Sequence, residues 1–373
     1  MSRRANGEGT IGKRKDGRYM ARVTLRDGTR KCLYGKTRSE VADKMVQVQK
    51  AVLDGTGVPS DQTTISQFLQ QWLAGHKTAI RHRTWKRYEG LLRLHAIPFI
   101  GRRRLNRLEP HHLQSLYSER MKVLSPASVR QLHAVLRRAL EDAFRWDLVS
   151  RNVASLVKPP RVPRFEIKPW SSDQAQLFLQ AARGNRFEAL YILAITTGMR
   201  EGEMLGLHWD EVDLEYGHLQ VRYSLEWQTG GQHRFHEPKT NRSRRRIRLP
   251  AVTIQALREH RARQAEERLR LGPSWNAANL VFPNVIGGPM RPSNLIRNSF
   301  KPTLRASGLP DIRFHDLRHT AATILLVRGV HPKVVSEMLG HASIQITLDT
   351  YSHVLPEMQA QATAAMDAAF GQF

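Results

Sequence analysis

Apolar and polar positions along the chain change period near residue 60. In the first 35 residues they alternate. Within Tyr19-Met20-Ala21-Arg22-Val23-Thr24-Leu25, one face carries Tyr19, Ala21, Val23 and Leu25, the two-residue period of a half-buried strand. Asp16-Gly17 and Asp27-Gly28 interrupt the runs as hairpin turns. Thr37 and Glu40 stand at capping-box spacing and open a helix that should run to about Leu53. Residues 1–55 are therefore expected to form a three-stranded sheet with one helix. Asp54-Gly55-Thr56-Gly57-Val58-Pro59-Ser60 then reads as a linker.

From residue 63 the period becomes helical. Ile65, Phe68, Leu69, Trp72 and Leu73 form one stripe, and Trp85, Tyr88, Leu91, Leu92 and His95 a second. A third helix should span Pro110 to Met121. A fourth should start at Ser125-Pro126 and carry Leu132, Leu136, Leu140 and Phe144 inward. Residues 63–157 thus read as an all-α bundle. The proline-rich, basic stretch Val157 to Arg164 reads as an extended linker. Beyond 165, Ser171 and Ser172 can cap a helix whose apolar face includes Ala175, Leu177, Phe178 and Ala181, and Glu188 to Thr196 makes another. Gly198 should break that helix, and a short one restarts at Glu201. Strands follow from His218, with a turn at Gly230-Gly231 and a return from Phe235 to Leu249. A charged helix from Val252 to Arg270 and further helices complete the chain. The expected fold is multidomain: a small three-stranded β-sheet plus helix (1–55), an all-α bundle (63–157), and a mainly α domain with a small antiparallel sheet (165–373).

Charge narrows the partner. The chain has 373 residues, with 59 Lys and Arg against 33 Asp and Glu, a net charge of +26. The first 50 residues hold 14 Lys and Arg against 5 Asp and Glu, a net of +9. Such an excess repels itself unless the partner is a polyanion, and nucleic acid is the leading candidate. A membrane is not favoured, because no apolar run reaches the roughly 18 residues that span a bilayer. The basic N-terminus lacks the apolar stretch of a signal peptide, and the lone Cys32 cannot form an intramolecular disulfide. A cytoplasmic protein is expected. Candidate DNA contacts are Arg22 on the N-terminal sheet and Arg81, Arg83, Lys86, Arg87 and Arg130 on the bundle. Arg242 and Arg244 join them from an arginine-rich strand, Arg242 to Arg248, read as solvated or DNA-facing.

The stretch from Phe314 to Tyr351 sets polar groups in segments that otherwise look like core. His315 and Arg318 lie one helical turn apart ahead of the apolar run Thr320 to Val327, followed by His341 in LGHAS and Tyr351 in TYSHV. Earlier in the chain, Arg200 stands in TTGMREGE and Lys239 at a Pro-Lys-Thr-Asn turn. His315 with His319 is also an i, i+4 pair that could bind zinc, but no third ligand is evident. Glu203 is expected to orient Arg200 or cap its helix, and Asp316 to support its loop.

With Arg200, Lys239, His315, Arg318, His341 and Tyr351 in this order, the chain resembles the tyrosine recombinase (phage integrase) family. TTGMREGE resembles the family's first arginine box, the PKT hairpin its lysine turn, and HDLRHT, LGHAS and TYSHV its second box. The resemblance covers 165–373 and, by helical layout, 63–157, while residues 1–55 are similar to arm-type DNA-binding modules. It implies a site-specific DNA recombinase, the integrase of a phage or other mobile element. Such an enzyme cleaves and rejoins DNA through a covalent 3′-phosphotyrosine and a Holliday junction. Tyr351 would be the nucleophile, His315 its base, Lys239 the acid for the leaving 5′-oxygen, and Arg200, Arg318 and His341 the phosphate ligands. The energy of the broken bond is kept in the phosphotyrosine, so no cofactor and no metal is expected. The implied partners are core and arm sites in double-stranded DNA, three further copies in a tetramer, and a host bending protein or excisionase.

Overall fold

Three short antiparallel strands open the chain: β1 (Thr10–Lys13), β2 (Tyr19–Thr24) and β3 (Arg30–Gly35), in the order β1-β2-β3. The computed structural model describes residues 10–24, 30–53, 62–163, 168–228, 230–237, 244–351, 363–364 and 366–371. The Asp27-Gly28 turn, Leu25, Lys239, Arg242 and residues 352–362 of the C-terminal tail lie outside these. At the first hairpin Gly17 takes φ 81°, and Asp16 Oδ1 accepts from the Arg18 N–H at 3.1 Å. Ala21 and Val23 are buried on one face of β2 while Arg22 is exposed on the other. Helix α1 (Arg38–Leu53) packs on this sheet. Thr37 Oγ1 accepts from the Glu40 N–H at 3.2 Å. The Glu40 carboxylate reaches past Thr37 to the Lys36 N–H at 2.8 Å, so the expected capping box closes one residue early.

The helices of the next segment are α2 (Ile65–Gly75), α3 (His82–Leu91), a π turn (Leu92–Ala96), α4 (Ile97–Ile100), α5 (Pro110–Met121) and α6 (Pro126–Arg145). Thr64 and Gln67 form a reciprocal capping box on α2, and Ser125 caps α6. Ile65, Phe68, Leu69, Trp72, Leu113, Leu132, Leu136 and Leu140 share one core. Polar groups are satisfied within it: Trp72 Nε1 donates to Asp142 at 2.8 Å, and His133 Nδ1 meets Tyr117 Oη at 3.1 Å. Phe144, expected inside, is 44% exposed; Ala143 takes the buried place at that turn.

The chain divides into two compact units, Met1–Arg164 and Phe165–Phe373. In the second, α7 (Ser172–Ala181) and α8 (Glu188–Thr197) are followed by the short α9 (Glu201–Leu205). The face of α7 is narrower than expected. Ala175 and Phe178 are buried, but Leu177 is half exposed and Ala182 replaces Ala181 in the core. The strands form two small antiparallel sheets instead of one. The first holds β4 (Val212–Asp213), β5 (His218–Val221) and β8 (Arg245–Arg248) in the order β4-β5-β8. The second pairs β6 (Ser224–Trp227) with β7 (His233–His236). Next come α10 (Ala251–Leu271), α11 (Pro292–Leu295), a π turn (Ile296–Phe300), α12 (Lys301–Ala306), α13 (Asp316–Val327), α14 (Pro332–Leu339) and α15 (Ile344–Thr350). Phe178, Tyr191, Phe300 and Phe314 interlock with ring centroids 5.2 to 6.5 Å apart. This anchors the backbone just before His315. No described helix is long and apolar enough to cross a membrane.

Gly198 ends α8 in the left-handed region, φ 61°, and a Cβ there would sit 2.4 Å from Leu339 Cδ2, a fully buried side chain. Gly198→Ala is expected to destabilise the second unit by about 1–3 kcal/mol through backbone strain and overpacking. A thermal midpoint equal to wild type would refute this.

Candidate functional site

The turn at Gly198 places Arg200 at the start of α9, where Glu203, one turn on, faces it. Glu203 carries out both roles expected of it. Its Oε2 accepts from the Arg200 backbone N–H at 3.0 Å, and its Oε1 accepts from Arg200 Nη1 at 2.8 Å. Arg200 Nη2 donates to the Gly340 carbonyl at 3.0 Å. Gly340 itself ends α14 in the left-handed region, φ 68°. The arginine that sets the next segment is thus tied across 140 residues of chain to the loop that carries His341.

The arginine-rich strand corrects an expectation. β8 alternates, with Arg245 and Ile247 buried and Arg246 and Arg248 exposed, so it is not uniformly solvated or DNA-facing. Arg245 points inward: its Nη1 and Nη2 fork onto the Glu203 carboxylate at 3.2 and 2.8 Å, and its Nε donates to the Met338 carbonyl at 2.6 Å. Burial alone would raise the Glu203 carboxyl, but Arg245 and Arg200 outweigh it and hold the pKa at about 2. The sequence reading missed this role of Arg245. The two-residue period of the strand, with Arg245 and Ile247 on one face, was the available signal.

Arg318 lies in the first turn of α13 and is almost completely buried. Its Nη1 donates to the Gly198 carbonyl at 2.8 Å, while its buried Nη2 has no hydrogen-bond partner among the described residues. Burial, then the nearby Arg200 cation, lower its pKa to about 9, so it stays charged at neutral pH. His315 occupies the position before α13 without a side-chain capping bond and is exposed at the rim. Lost solvation and then Arg318 lower its pKa. Asp316 supports this loop as expected, accepting from the Arg313 N–H at 2.8 Å and pairing with its guanidinium. His341 Nδ1 meets Thr347 Oγ1 at 2.8 Å, and burial, Arg318 and Arg200 lower its pKa to about 4.

Tyr351, just past α15, is buried among Ala322, Leu326, Val335 and Leu339. Its hydroxyl lies 2.9 Å from His319 Nδ1, a partner that the zinc alternative had set aside. Burial raises the phenol to about 12 against the opposing charge of Arg318. The structure therefore gathers Arg200, His315, Arg318, His341 and Tyr351 within electrostatic reach of one another, while Lys239 falls outside the described residues. Two adjacent guanidinium groups, one with a free buried N–H, can bind one phosphate through two of its oxygens. Of the candidate DNA contacts, Arg22, Arg81, Arg83, Lys86, Arg87, Arg130 and Arg244 are exposed. Arg87 bonds Gln131 and Arg244 pairs with Glu237.

Comparison with known proteins identifies the family. Residues 170–358 match the phage integrase family, and residues 64–121 match the phage integrase N-terminal SAM-like domain. The chain is 30% identical to a "Tyrosine recombinase XerC-like" protein of Caldanaerobacter subterraneus over 95% of this chain and 98% of that one. It is also 30% identical to an "Integrase" of Streptomyces ambofaciens over 90% of this chain and 88% of that one. Among solved structures, the Tn1549 transposon integrase with transposon right end DNA superposes with a TM-score of 0.68 at 22% identity, covering 81% of this chain and 99% of that one. A lambda integrase tetramer bound to a Holliday junction gives 0.56 at 17% identity, covering 89% and 95%. The chain belongs to the phage integrase family of tyrosine recombinases and is a site-specific recombinase that breaks and rejoins DNA.

Proposed function

We propose that the protein is the integrase of a phage or other mobile element, with Tyr351 as the nucleophile that becomes linked to a 3′-phosphate. The observation that carries this is the empty N–H of buried Arg318 beside Arg200, set next to the Tyr351 environment. A phosphodiester is anionic and its transition state more so. Arg200 and Arg318 neutralise that charge at non-bridging oxygens, and His341 adds a hydrogen bond. Lys239 protonates the leaving 5′-oxygen. The phosphotyrosine conserves the bond for rejoining, with no cofactor.

In this reading residues 1–55 bind arm sites, 63–157 hold the core site and 165–373 catalyse. The exposed Arg22 on β2, and the exposed Arg81, Arg83, Lys86, Arg87 and Arg130, support DNA contact by the first two. Arg242 and Arg244 are further DNA contacts in this reading. Four copies exchange strands through a Holliday junction in the host cytoplasm, with a bending protein or excisionase setting direction. The Holliday-junction complex of the lambda relative supports the tetramer.

The test uses plasmids carrying two copies of the element's junction, stopped with detergent. Protein on a 3′-phosphate together with recombinant product is the expected result. Relaxation of supercoils without exchange would indicate a topoisomerase. Binding that weakens with salt, by a log–log slope of about −0.9 per phosphate neutralised, but leaves no adduct would indicate a non-catalytic regulator.

A further inference from the structure

We infer that His319 is the group that receives the phenolic proton of Tyr351. The inference rests on Tyr351 being the nucleophile. His315 is the expected base, one turn earlier at the exposed rim. The hydrogen bond observed at Tyr351 Oη, however, is to His319 Nδ1 at 2.9 Å, within direct proton-transfer distance. The rings of His319 and Tyr351 lie 5.8 Å apart between centroids. His315 meets His319 edge-on, with ring centroids 5.3 Å apart.

The mounting suits the role. Arg318 and His319 are consecutive on α13, about 100° apart around its axis. One turn of rigid helix therefore presents the phosphate ligand through one residue and the phenol's partner through the next. The surroundings keep the imidazole neutral, as a proton acceptor must be. It is partly desolvated and faces His315 and the cations Arg318 and Arg313, with Asp316 as the opposing anion; His341 comes from the loop after α14 and Tyr351 from the end of α15. Its pKa is lowered to about 4, burial being the largest cause. An arriving phosphate offsets the arginine charge and raises the proton affinity of the imidazole when it is needed.

In the step itself, the proton passes from Oη to Nδ1, which requires the resting imidazole to carry its hydrogen on Nε2. The phenolate oxygen bonds to phosphorus. The bond from phosphorus to the 5′-oxygen breaks, and that oxygen takes a proton from a separate donor, Lys239 in the proposed function. Rejoining reverses each transfer, and His319 returns the proton to Tyr351.

The test is single-turnover cleavage of nicked core-site DNA from pH 5 to 9, with DNA affinity measured in parallel. His319→Gln keeps a neutral hydrogen-bonding group but cannot accept the proton. It is expected to cleave about 10² to 10⁴ times more slowly, with affinity within threefold of wild type. Its rate should climb with pH across the whole range, where wild type rises and then levels. Cleavage within tenfold of wild type on an unchanged pH profile would overturn the inference, most directly if His315→Gln instead removes the rising limb. A second measurement does not depend on how the variant folds: in ¹⁵N-histidine spectra, Tyr351→Phe should move the His319 Nδ1 resonance, and an unmoved resonance would also overturn it. If wild type forms no adduct at all, the nucleophile reading falls and this one with it. A wild-type adduct alongside an unaffected His319→Gln removes only the role of His319.

Discussion

Tyr351→Phe is expected to abolish the detergent-resistant protein–DNA adduct while leaving core-site affinity within about threefold of wild type. The substitution removes one oxygen from a side chain that is only 2% exposed and leaves the ring where it packs on Ala322, Leu326, Val335 and Leu339. The structural loss includes the hydrogen bond to His319, worth about 1 kcal/mol. The chemical loss is expected to be total, since the proposed nucleophile is the phenolic oxygen itself. Tryptic mapping of the labelled adduct checks the assignment directly. A residual adduct mapped to another residue in the variant would remove Tyr351 from the mechanism.

Arg245→Ala is expected to cost about 3–5 kcal/mol of stability, more than any other single side-chain truncation considered for this chain. The reason is what it leaves behind. Glu203 is 3% exposed and would keep only Arg200, and the Met338 carbonyl would lose its 2.6 Å donor. Arg245→Lys should recover only part of the loss, because one ammonium cannot fork onto a carboxylate and also reach Met338. Cleavage should fall as well, since Glu203 sets the orientation of Arg200. The pH dependence has a definite sign. The folded Glu203 carboxyl, at about 2, lies below its ordinary 4.5. Its contribution is present above about pH 4.5 and is lost as pH falls through 2. Acid unfolding of the Arg245 variant should therefore begin at higher pH than that of wild type. A urea midpoint shift equivalent to less than 1 kcal/mol would refute the account.

Much of this architecture was legible in residue order. The stripe from Ile65 to Leu73 and the Ser125-Pro126 start of α6 appear as read, because capping and 3.6-residue periodicity are local rules. Phe144 and Leu177 escaped because period alone does not say where the neighbouring element stops covering a helix face. The proposed site residues were singled out from the sequence, but the partners that the structure gives them were not legible there. Arg245 sits in a run of arginines that looks like a charged surface, and only the pairing of β8 with β5 turns it inward. His319 bonds a residue 32 positions away, a distance at which no spacing rule operates.

The cluster around Glu203 has one further consequence. The Arg200 and Arg245 guanidinium groups grip the Glu203 carboxylate, and that of Arg318 lies within its electrostatic reach, so three cations face this one carboxylate. In the proposed function the backbone of DNA supplies a further anion. In that reading the scissile phosphate is a keystone as well as a reactant: it offsets repulsion among the three arginines while it is gripped.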